Sequence, residues 1–435
     1  MPVFSYFCAF LAKLAWNDVP STVREQTGLI LADTLGVLVA GTREPEVKKI
    51  AAHYAGAGKV AIPGTDWYTI SENAAFLNGF AGTAVELDEG NYRAGGHPAI
   101  HAIAAALAEW AVNPVPAEQF AVAVLVGYEA GARVGMATRL RPAAHPHGTW
   151  GVIGAAAAVA HLRGYDAARF ATALGLAASL GLASSGTASL NSSAIRNIYA
   201  GIAAQNGLLA CNLAEAGMTA EPAAVARIFG QVIGDHFDES ALDRGLGDDW
   251  LIMDAFLKVA ASCRETQGAL AALEEMLGEA SVDPADVDHI RVTTFGSAAA
   301  LAETGPGSPI GGRFSIPFVL AVRLLRGHAW IDAFAPEALA DPQIRALATR
   351  VSVSEEPAFT AQLPHKRICR LALRLEEGTT RYAEVFGTPG DPGMPLPAGA
   401  LEEKFRRLTG KPDETWQALR AFAVRDHAHL VAMLA

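Results

Sequence analysis

The sequence predicts a mainly α protein with a large all-α domain and a smaller, inserted α+β domain. Apolar residues recur at helical spacing through the first ~260 residues, and strand-like alternation follows only after about residue 280. A charged helical segment then closes the chain. Because 435 residues exceed the usual length of one core, two domains are expected. We predict a helical domain over residues 1–265, completed by 392–435, and an α+β domain over 266–391.

The N-terminal part predicts a succession of helices. Thr22 and Glu25 fit a capping box, which would open a helix running to Gly41. Helical spacing resumes at Ile100, and Gly217 is suited to the C′ position of a later helix. Three segments are apolar nearly all round, as is typical of central helices in a large bundle. These segments are residues 120–136, 151–162 and 167–182.

The part after about residue 280 has the alternation of half-buried strands. Residues 290–294 alternate between apolar and polar, and so do residues 369–375. A turn ending at Gly378 leads from the second of these into 381–386, which predicts a β-hairpin. The helical segments between the strands are residues 316–325 and 342–350. This mixture predicts the α+β domain.

Composition excludes several classes of partner. The 34 basic and 45 acidic residues give a net charge of −11 without a Lys/Arg run, which argues against nucleic-acid binding. The four cysteines lie far apart, so we expect no disulfide framework and a cytoplasmic location. Charged residues such as Glu129 and Arg133 interrupt the apolar stretches, so we expect a soluble protein and no membrane partner.

Polar residues concentrate in four segments beside apolar helices. They are residues 85–101, 145–151, 191–197, and 258 with 263–266. No P-loop, G-x-S-x-G elbow or G-x-G-x-x-G motif accompanies them in the sequence, which disfavours nucleotide-dependent and serine-hydrolase chemistry. Each residue also has a structural interpretation: Asp88 alone suits an N-cap, and His145 beside a proline suits a turn. Arg196 and Lys258, each taken alone, are more often surface cations.

A metal site is the weaker interpretation of the histidines. His97 and His101 are four residues apart and could share a helix face, but the glutamate of H-E-x-x-H is missing. The pair His145 and His147 would need a third ligand. We therefore expect no catalytic metal.

Taken together and in order, the four segments resemble the MmgE/PrpD family over essentially the whole chain. Residues 76–81 followed by Glu86-Leu-Asp88 look like the family's asparagine-glycine helix and its Leu-Asp-x-Asp-Asp loop. His97-Pro is similar to its His-Pro-Ser motif, and His145-Pro-His-Gly-Thr149 to its Phe-His-Pro-Thr-Gly loop. Residues 393–405 resemble its closing signature. Members of this family are lyases and isomerases that act on small polycarboxylic acids.

The resemblance implies the MmgE/PrpD fold, with the active site between a large helical domain and a smaller α+β lid. It further implies a homodimer that needs no metal or organic cofactor. Four positions match residues that line the family's active site and are the catalytic candidates: Asp88, His97, His145 and Lys258. The candidates for substrate binding are Arg196, Arg264, Thr149 and Phe318.

The sequence departs from the family's decarboxylase pattern in three places, which argues against assigning that reaction to this chain. Arg196 stands where that pattern has a lysine, and Phe318 stands where it has a tyrosine. Asp88 is followed by Glu89, Gly90 and Asn91 rather than by the family's second carboxylates. Arginine cannot act as a base, but its planar fork can hold a carboxylate. Phenylalanine cannot deliver a proton, which disfavours decarboxylation.

We expect proton removal from a carbon next to a substrate carboxylate. His145 is the leading base, and Asp88 would orient a histidine or act as the partner acid. Lys258 and Arg196, with Arg264 as a weaker candidate, would bind carboxylates and stabilise enediolate charge. A dehydratase-type lyase is favoured over an isomerase or epimerase, and a decarboxylase is third. A non-catalytic binding protein that kept the fold is the alternative from another class.

Overall fold

The computed structural model describes residues 2–56 and 58–435. Helices make up 55% of the structure and strands 11%, so the predicted mainly α class is confirmed. The chain divides into two compact units. The first unit runs to Gly186 and also contains Arg196–Leu257 and Ala398–Ala435. The second unit contains Thr187–Ile195 and Lys258–Pro397.

Helices form most of the chain that precedes residue 258. They are α1 (Val3–Lys13), α2 (Ser21–Gly41), α3 (Pro45–Ala51), α4 (Ser71–Ala84), α5 (Pro98–Val112), α6 (Ala117–Ala137), α7 (Gly151–Leu162), α8 (Ala167–Ser179), α9 (Ile195–Glu215) and α10 (Ala224–Arg227). Every residue of α7 is buried, as the all-round apolar pattern of this segment predicts. Gly127 of α6 and Gly154 of α7 let these two helices approach closely, since a Cβ on Gly127 would lie 2.7 Å from the Gly154 carbonyl oxygen.

The helix ends agree with the sequence in one case and differ in another. The capping box predicted at Thr22 and Glu25 is wrong, because α2 begins at Ser21 and Pro20 occupies its N-cap without a side-chain hydrogen bond. Thr22 therefore already lies in the first turn. Gly217 ends α9 as predicted: its φ is 83°, and its N–H donates to Ala214 at 3.2 Å.

Short strands in the first unit connect distant loops. They are β1 (Val60–Ala61), β2 (Tyr68–Thr69), β3 (Gly90–Asn91), β4 (Thr138–Leu140), β5 (Gly234–Phe237) and β6 (Ala255–Phe256). The antiparallel pair β3–β6 places Gly90 opposite Phe256. A Cβ on Gly90 would lie 2.2 Å from the Phe256 ring, so this approach requires glycine.

The second unit is built around a four-stranded sheet. Its strands are β7 (Val287–Thr294), β8 (Val351–Glu355), β9 (Cys369–Leu375) and β10 (Thr380–Val385), in the order β10-β9-β7-β8. β7 and β8 are parallel and the other pairs are antiparallel, so the predicted strand and hairpin are confirmed. The helices are α11 (Arg264–Glu279), α12 (Gly296–Ala299), α13 (Pro309–Arg313), α14 (Ile316–Arg326), α15 (Pro336–Ala340), α16 (Pro342–Ala348) and α17 (Pro357–Thr360).

The C-terminal segment belongs to the first unit. It forms α18 (Ala400–Thr409), α19 (Asp413–Arg420) and α20 (His427–Leu434). Its helices pack on α2 at two glycines. A Cβ on Gly36 would lie 3.0 Å from the Phe405 ring, and a Cβ on Gly28 would lie 1.8 Å from the Arg420 carbonyl oxygen. Close packing at Gly28 therefore holds α19 in place.

One described helix, α6, is long and apolar enough to cross a membrane by length and composition, and 94% of its most apolar window is buried inside the protein. Its charged residues form a buried ion pair, with Arg133 Nε 3.2 Å from Glu129 Oε2. The Ile252 N–H donates to the same glutamate at 3.0 Å. Such burial is typical of a core helix.

We expect Gly28→Ala to destabilise the protein by about 2 kcal/mol or more, because the added methyl group meets backbone that cannot rotate away. Urea unfolding measures the change. Gly278→Ala in α11 is the matched control, since no atom from outside its own turn of helix lies within 4 Å of its Cβ position in the described structure. Alanine there should stabilise by about 0.5 kcal/mol. Equal midpoints for both variants would contradict the packing at Gly28.

Candidate active site

The loop between α4 and β3 carries three buried carboxylates. This acid loop, residues 85–91, is buried along its whole length. Its Glu86 has a φ of 55°, a left-handed conformation that is uncommon for residues other than glycine. Because a buried carboxylate is unfavourable without partners, the contacts of Glu86, Asp88 and Glu89 define the site.

The Asp88 carboxylate lies beside the ring of His97. His97 Nδ1 lies 3.0 Å from Asp88 Oδ2 and 2.5 Å from the backbone oxygen of Glu89. The Glu89 carbonyl oxygen is an acceptor, so Nδ1 carries the proton and donates to it, and the Asp88 carboxylate lies beside this contact. In the neutral ring the lone pair is then on Nε2. The side chain is 14% exposed, which leaves part of this ring accessible.

His101 has a structural role. Its Nδ1 donates to the His97 carbonyl at 2.8 Å, and its Nε2 accepts from the Gly148 N–H at 3.4 Å. These two contacts suit a neutral ring, and burial lowers the pKa of His101 to about 4. His101 therefore connects the start of α5 to the loop before α7, as a core histidine would.

His145 and His147 lie in that loop, and each has one ring nitrogen in contact with a donor within the protein. His145 Nδ1 accepts from the His147 N–H at 3.0 Å, so the neutral ring of His145 carries its proton on Nε2. His147 Nε2 lies 3.4 Å from Arg196 Nη2, a donor, which puts the His147 proton on Nδ1. Burial and the charge of Arg196 lower the pKa of both histidines well below the usual value. Both rings are therefore neutral at physiological pH.

His147 lies at the centre of the cluster. Its ring stacks on His97 with centroids 4.5 Å apart and lies 5.1 Å from the His145 ring. Its Nε2 is 3.8 Å from Asp88 Oδ2. Through His147 the fold brings together four residues that the sequence singled out: Asp88, His97, His145 and Arg196.

Arg196 forms an ion pair within the protein. Its Nη2 lies 2.8 Å from Glu86 Oε2, and each side chain is only 1% exposed. Its Nη1 donates to the Thr83 carbonyl at 3.3 Å. The guanidinium thus reaches the histidines, as a substrate clamp would require, but a carboxylate of the acid loop already neutralises it.

Glu89 fastens the acid loop to α5 and α6. Its Oε2 accepts from the Ala99 N–H at 3.1 Å, in the first turn of α5, and its Oε1 accepts from the Tyr128 hydroxyl at 2.6 Å. Asn91 Nδ2 donates to that hydroxyl oxygen at 3.2 Å. Burial raises the pKa of Glu89 to about 8.

A buried lysine of α18 also supports the acid loop. Lys404 Nζ lies 2.7 Å from Asp33 Oδ1 of α2 and 3.0 Å from the Leu87 carbonyl oxygen. Sequence reasoning gave this lysine no role. The sequence does indicate that this lysine is buried, because Lys404 falls within the apolar stripe of Leu401, Phe405 and Leu408 on α18.

Other predicted site residues have contacts within their own unit. The Thr149 hydroxyl donates to the Pro146 carbonyl at 2.6 Å, which shapes the loop before α7. In the second unit, Arg264 pairs with the Asp391 carboxylate and also donates to Gln267 at 3.0 Å. Two further side chains of that unit, Lys258 and Phe318, are fully buried there.

Asp88, His97 and His147 could be considered as metal ligands, because their ligand atoms all lie within 4.8 Å of one another. The donor set fits a metal ion poorly. His97 Nδ1 is committed to donating to the Glu89 carbonyl, and the Arg196 guanidinium lies 3.4 Å from His147 Nε2. The lone pair of His147 Nε2 faces an arginine N–H rather than an open position, so this nitrogen is poorly placed to bind a metal ion.

Comparison with known proteins agrees with the motifs. Residues 5–240 match the MmgE/PrpD N-terminal domain, and residues 260–423 match the MmgE/PrpD C-terminal domain. The chain belongs to the MmgE/PrpD family. The two matched stretches span most of the chain, so the family resemblance expected from the sequence is confirmed.

Relatives within the MmgE/PrpD family support an enzyme of this type. Cis-aconitate decarboxylase of Aspergillus terreus is 25% identical over 445 residues, which cover 94% of this chain and 89% of the relative. The cis-aconitate decarboxylase-like protein oryM of Aspergillus oryzae is 25% identical over 439 residues, covering 93% of this chain and 90% of the relative. The similarity is distant, and it supports the family's type of activity rather than one reaction.

We expect Lys404→Met to destabilise the protein by roughly 3 kcal/mol or more, because it removes the cation that compensates a buried carboxylate. The free energy of unfolding in urea measures the loss. Lys48→Met, on an exposed position of α3, is the control and should stay within about 0.5 kcal/mol of wild type. A Lys404→Met protein as stable as the control would show that the contacts with Asp33 and Leu87 do not support the acid loop.

Proposed function

We propose that this MmgE/PrpD protein is a cofactor-independent lyase of the dehydratase type, acting on a small polycarboxylic acid. The reaction would begin with removal of a proton from the carbon next to a carboxylate. The observation that carries this proposal is the Asp88–His97 pair, with Asp88 Oδ2 3.0 Å from His97 Nδ1. The hydrogen bond of Nδ1 to the Glu89 carbonyl fixes the His97 tautomer, and the Asp88 carboxylate beside the ring can stabilise positive charge on it. A histidine oriented in this way, with a carboxylate next to it, is a recurrent arrangement for proton transfer.

His97 is the proposed base. The contacts of its Nδ1 with Asp88 and Glu89 leave the Nε2 lone pair to accept the substrate proton. After the transfer, Asp88 would stabilise the imidazolium that forms. This differs from the expectation that His145 is the leading base, because the Nδ1 lone pair of His145 already accepts from the His147 N–H.

His145 is proposed to stabilise charge. With Nδ1 occupied, its Nε2–H can donate a hydrogen bond to a substrate carboxylate or to the enediolate oxygen as negative charge develops. The lowered pKa of His145 supports this role, since a neutral ring keeps the same donor over the whole physiological range.

The proposal for the second unit rests on the family resemblance. We propose that this unit is the α+β lid domain of the family and that Lys258 binds a substrate carboxylate. Arg264, Thr149 and Phe318 have less support as substrate-binding residues. Arg264 and Thr149 already have partners within the protein, and Phe318 packs 6.1 Å from Phe334, ring centroid to ring centroid, inside the second unit. A cytoplasmic homodimer is proposed on the same resemblance.

The outcome after proton removal distinguishes the candidate reactions. Loss of a β-leaving group gives a dehydratase, whereas return of the proton on the opposite face gives an epimerase. Decarboxylation, ranked third from the sequence, gains support from the names of the similar relatives, and it would break a carbon–carboxylate bond instead of removing a proton. Phe318 argues against it, because the tyrosine of the decarboxylase pattern is replaced by a side chain without a hydroxyl.

The proposal predicts hydrogen exchange at one substrate carbon. Proton NMR in D2O would follow citrate-, malate- and aspartate-like acids with wild type, His97→Gln, His145→Gln and the exposed control His53→Gln. Deuterium should appear next to a carboxylate with wild type and the control. The His97→Gln rate should fall by roughly 10²-fold or more, the usual contribution of a general base. His145→Gln should slow exchange while retaining it.

Other results would change the assignment. Exchange that survives in His97→Gln but disappears in His145→Gln would return the role of base to His145. Release of carbon dioxide would favour the decarboxylase. An absence of exchange and product across the panel would contradict the proposed reaction and favour a binding protein of this fold.

A further inference from the structure

The buried Glu86–Arg196 pair bears on the choice of substrate. Glu86 Oε2 lies 2.8 Å from Arg196 Nη2, both side chains are 1% exposed, and the same Nη2 lies 3.4 Å from His147 Nε2. The sequence alone suggested that Arg196 would clamp a substrate carboxylate. In the folded protein a carboxylate of the chain itself holds that guanidinium.

A neutralised arginine binds a second carboxylate poorly. A substrate carboxylate beside this pair would be a second negative charge against one positive charge in a buried environment. Asp88 adds to the repulsion, since its Oδ2 lies 3.8 Å from His147 Nε2. A neutral substrate group that accepts or donates hydrogen bonds would not be repelled by these carboxylates beside the Glu86–Arg196 pair.

The backbone supports a functional role for Glu86. Its φ of 55° is unfavourable for a residue that carries a Cβ, and glycine or asparagine would adopt it more readily. Conformations of this kind are concentrated at functional sites. Here the strained position directs a carboxylate onto the Arg196 guanidinium, which contacts His147.

We infer that Glu86 is a specificity-determining residue that neutralises Arg196, so that the substrate presents a neutral polar group here and is a dicarboxylate rather than a tricarboxylate. This inference rests on the proposed function. It assigns the arginine to the recognition of a hydroxyl or carbonyl oxygen, and it makes Glu86 the side chain that disfavours an additional substrate carboxylate.

Two matched acids test the inference by isothermal titration calorimetry. Glutarate and tricarballylate share the same main chain, and tricarballylate adds one carboxylate on the central carbon. Neither carries a hydroxyl group, so neither can lose water during the titration. Wild type should bind tricarballylate no more tightly than glutarate. Glu86→Gln should shift the ratio of the two affinities towards tricarballylate by about tenfold or more, because a freed guanidinium can make charge-assisted hydrogen bonds.

Three further variants make the result specific. Glu86→Asn removes the same charge with a residue that tolerates positive φ, and it replaces the Gln variant if that protein does not fold. Glu86→Gln combined with Arg196→Gln should lose the gain in tricarballylate affinity. Glu109→Gln removes another buried carboxylate, 2.8 Å from Arg163, and should leave the ratio unchanged.

The inference is overturned if wild type binds tricarballylate about tenfold more tightly than glutarate, or if folded Glu86 variants keep the wild-type ratio. It is also overturned if neither acid binds to any variant. The D2O exchange assay separates this failure from failure of the proposed function. Exchange with an unchanged affinity ratio rejects the specificity role alone, whereas an absence of both binding and exchange rejects the two together.

Discussion

Burial of the acid loop is the constraint on which the first unit depends. Its carboxylates lie away from water, where ionised groups are stable only beside compensating partners. Glu86 meets Arg196 of α9, Glu89 meets Tyr128 of α6, and the Leu87 carbonyl meets Lys404 of α18. One short segment thereby connects helices from widely separated parts of the chain. The same contacts that stabilise the loop also determine where Asp88 points.

The role proposed for each histidine follows from its hydrogen-bond partners, since these determine which ring nitrogen carries the proton. His97 donates from Nδ1 to the Glu89 carbonyl, whereas His145 accepts at Nδ1, so the neutral tautomers of the two rings present opposite groups at Nε2. His101 has both nitrogens committed and is structural. A base and a hydrogen-bond donor can therefore lie a few ångströms from the same stacked ring, that of His147.

Local pattern was enough to predict the helices and the hairpin, because periodicity is a property of the sequence itself. The family resemblance, rather than local pattern, pointed to Asp88, His97, His145 and Arg196 as site residues. Neither could predict the pairs Glu86–Arg196 and Asp33–Lys404, whose members are far apart along the chain. The tautomers depend on distances of a few tenths of an ångström, which no spacing rule contains. The failed capping box had a local cause: proline already occupied the N-cap of α2.

The central claim is that His97 and His145 carry their protons on different ring nitrogens. Long-range proton–nitrogen correlation spectra of protein with nitrogen-15-labelled histidine, recorded at neutral pH, test it directly. His97→Gln and His145→Gln spectra would assign the two signals. The account predicts a proton on Nδ1 of His97 and on Nε2 of His145. A His145 ring protonated on Nδ1, or a His97 ring protonated only on Nε2, would contradict it.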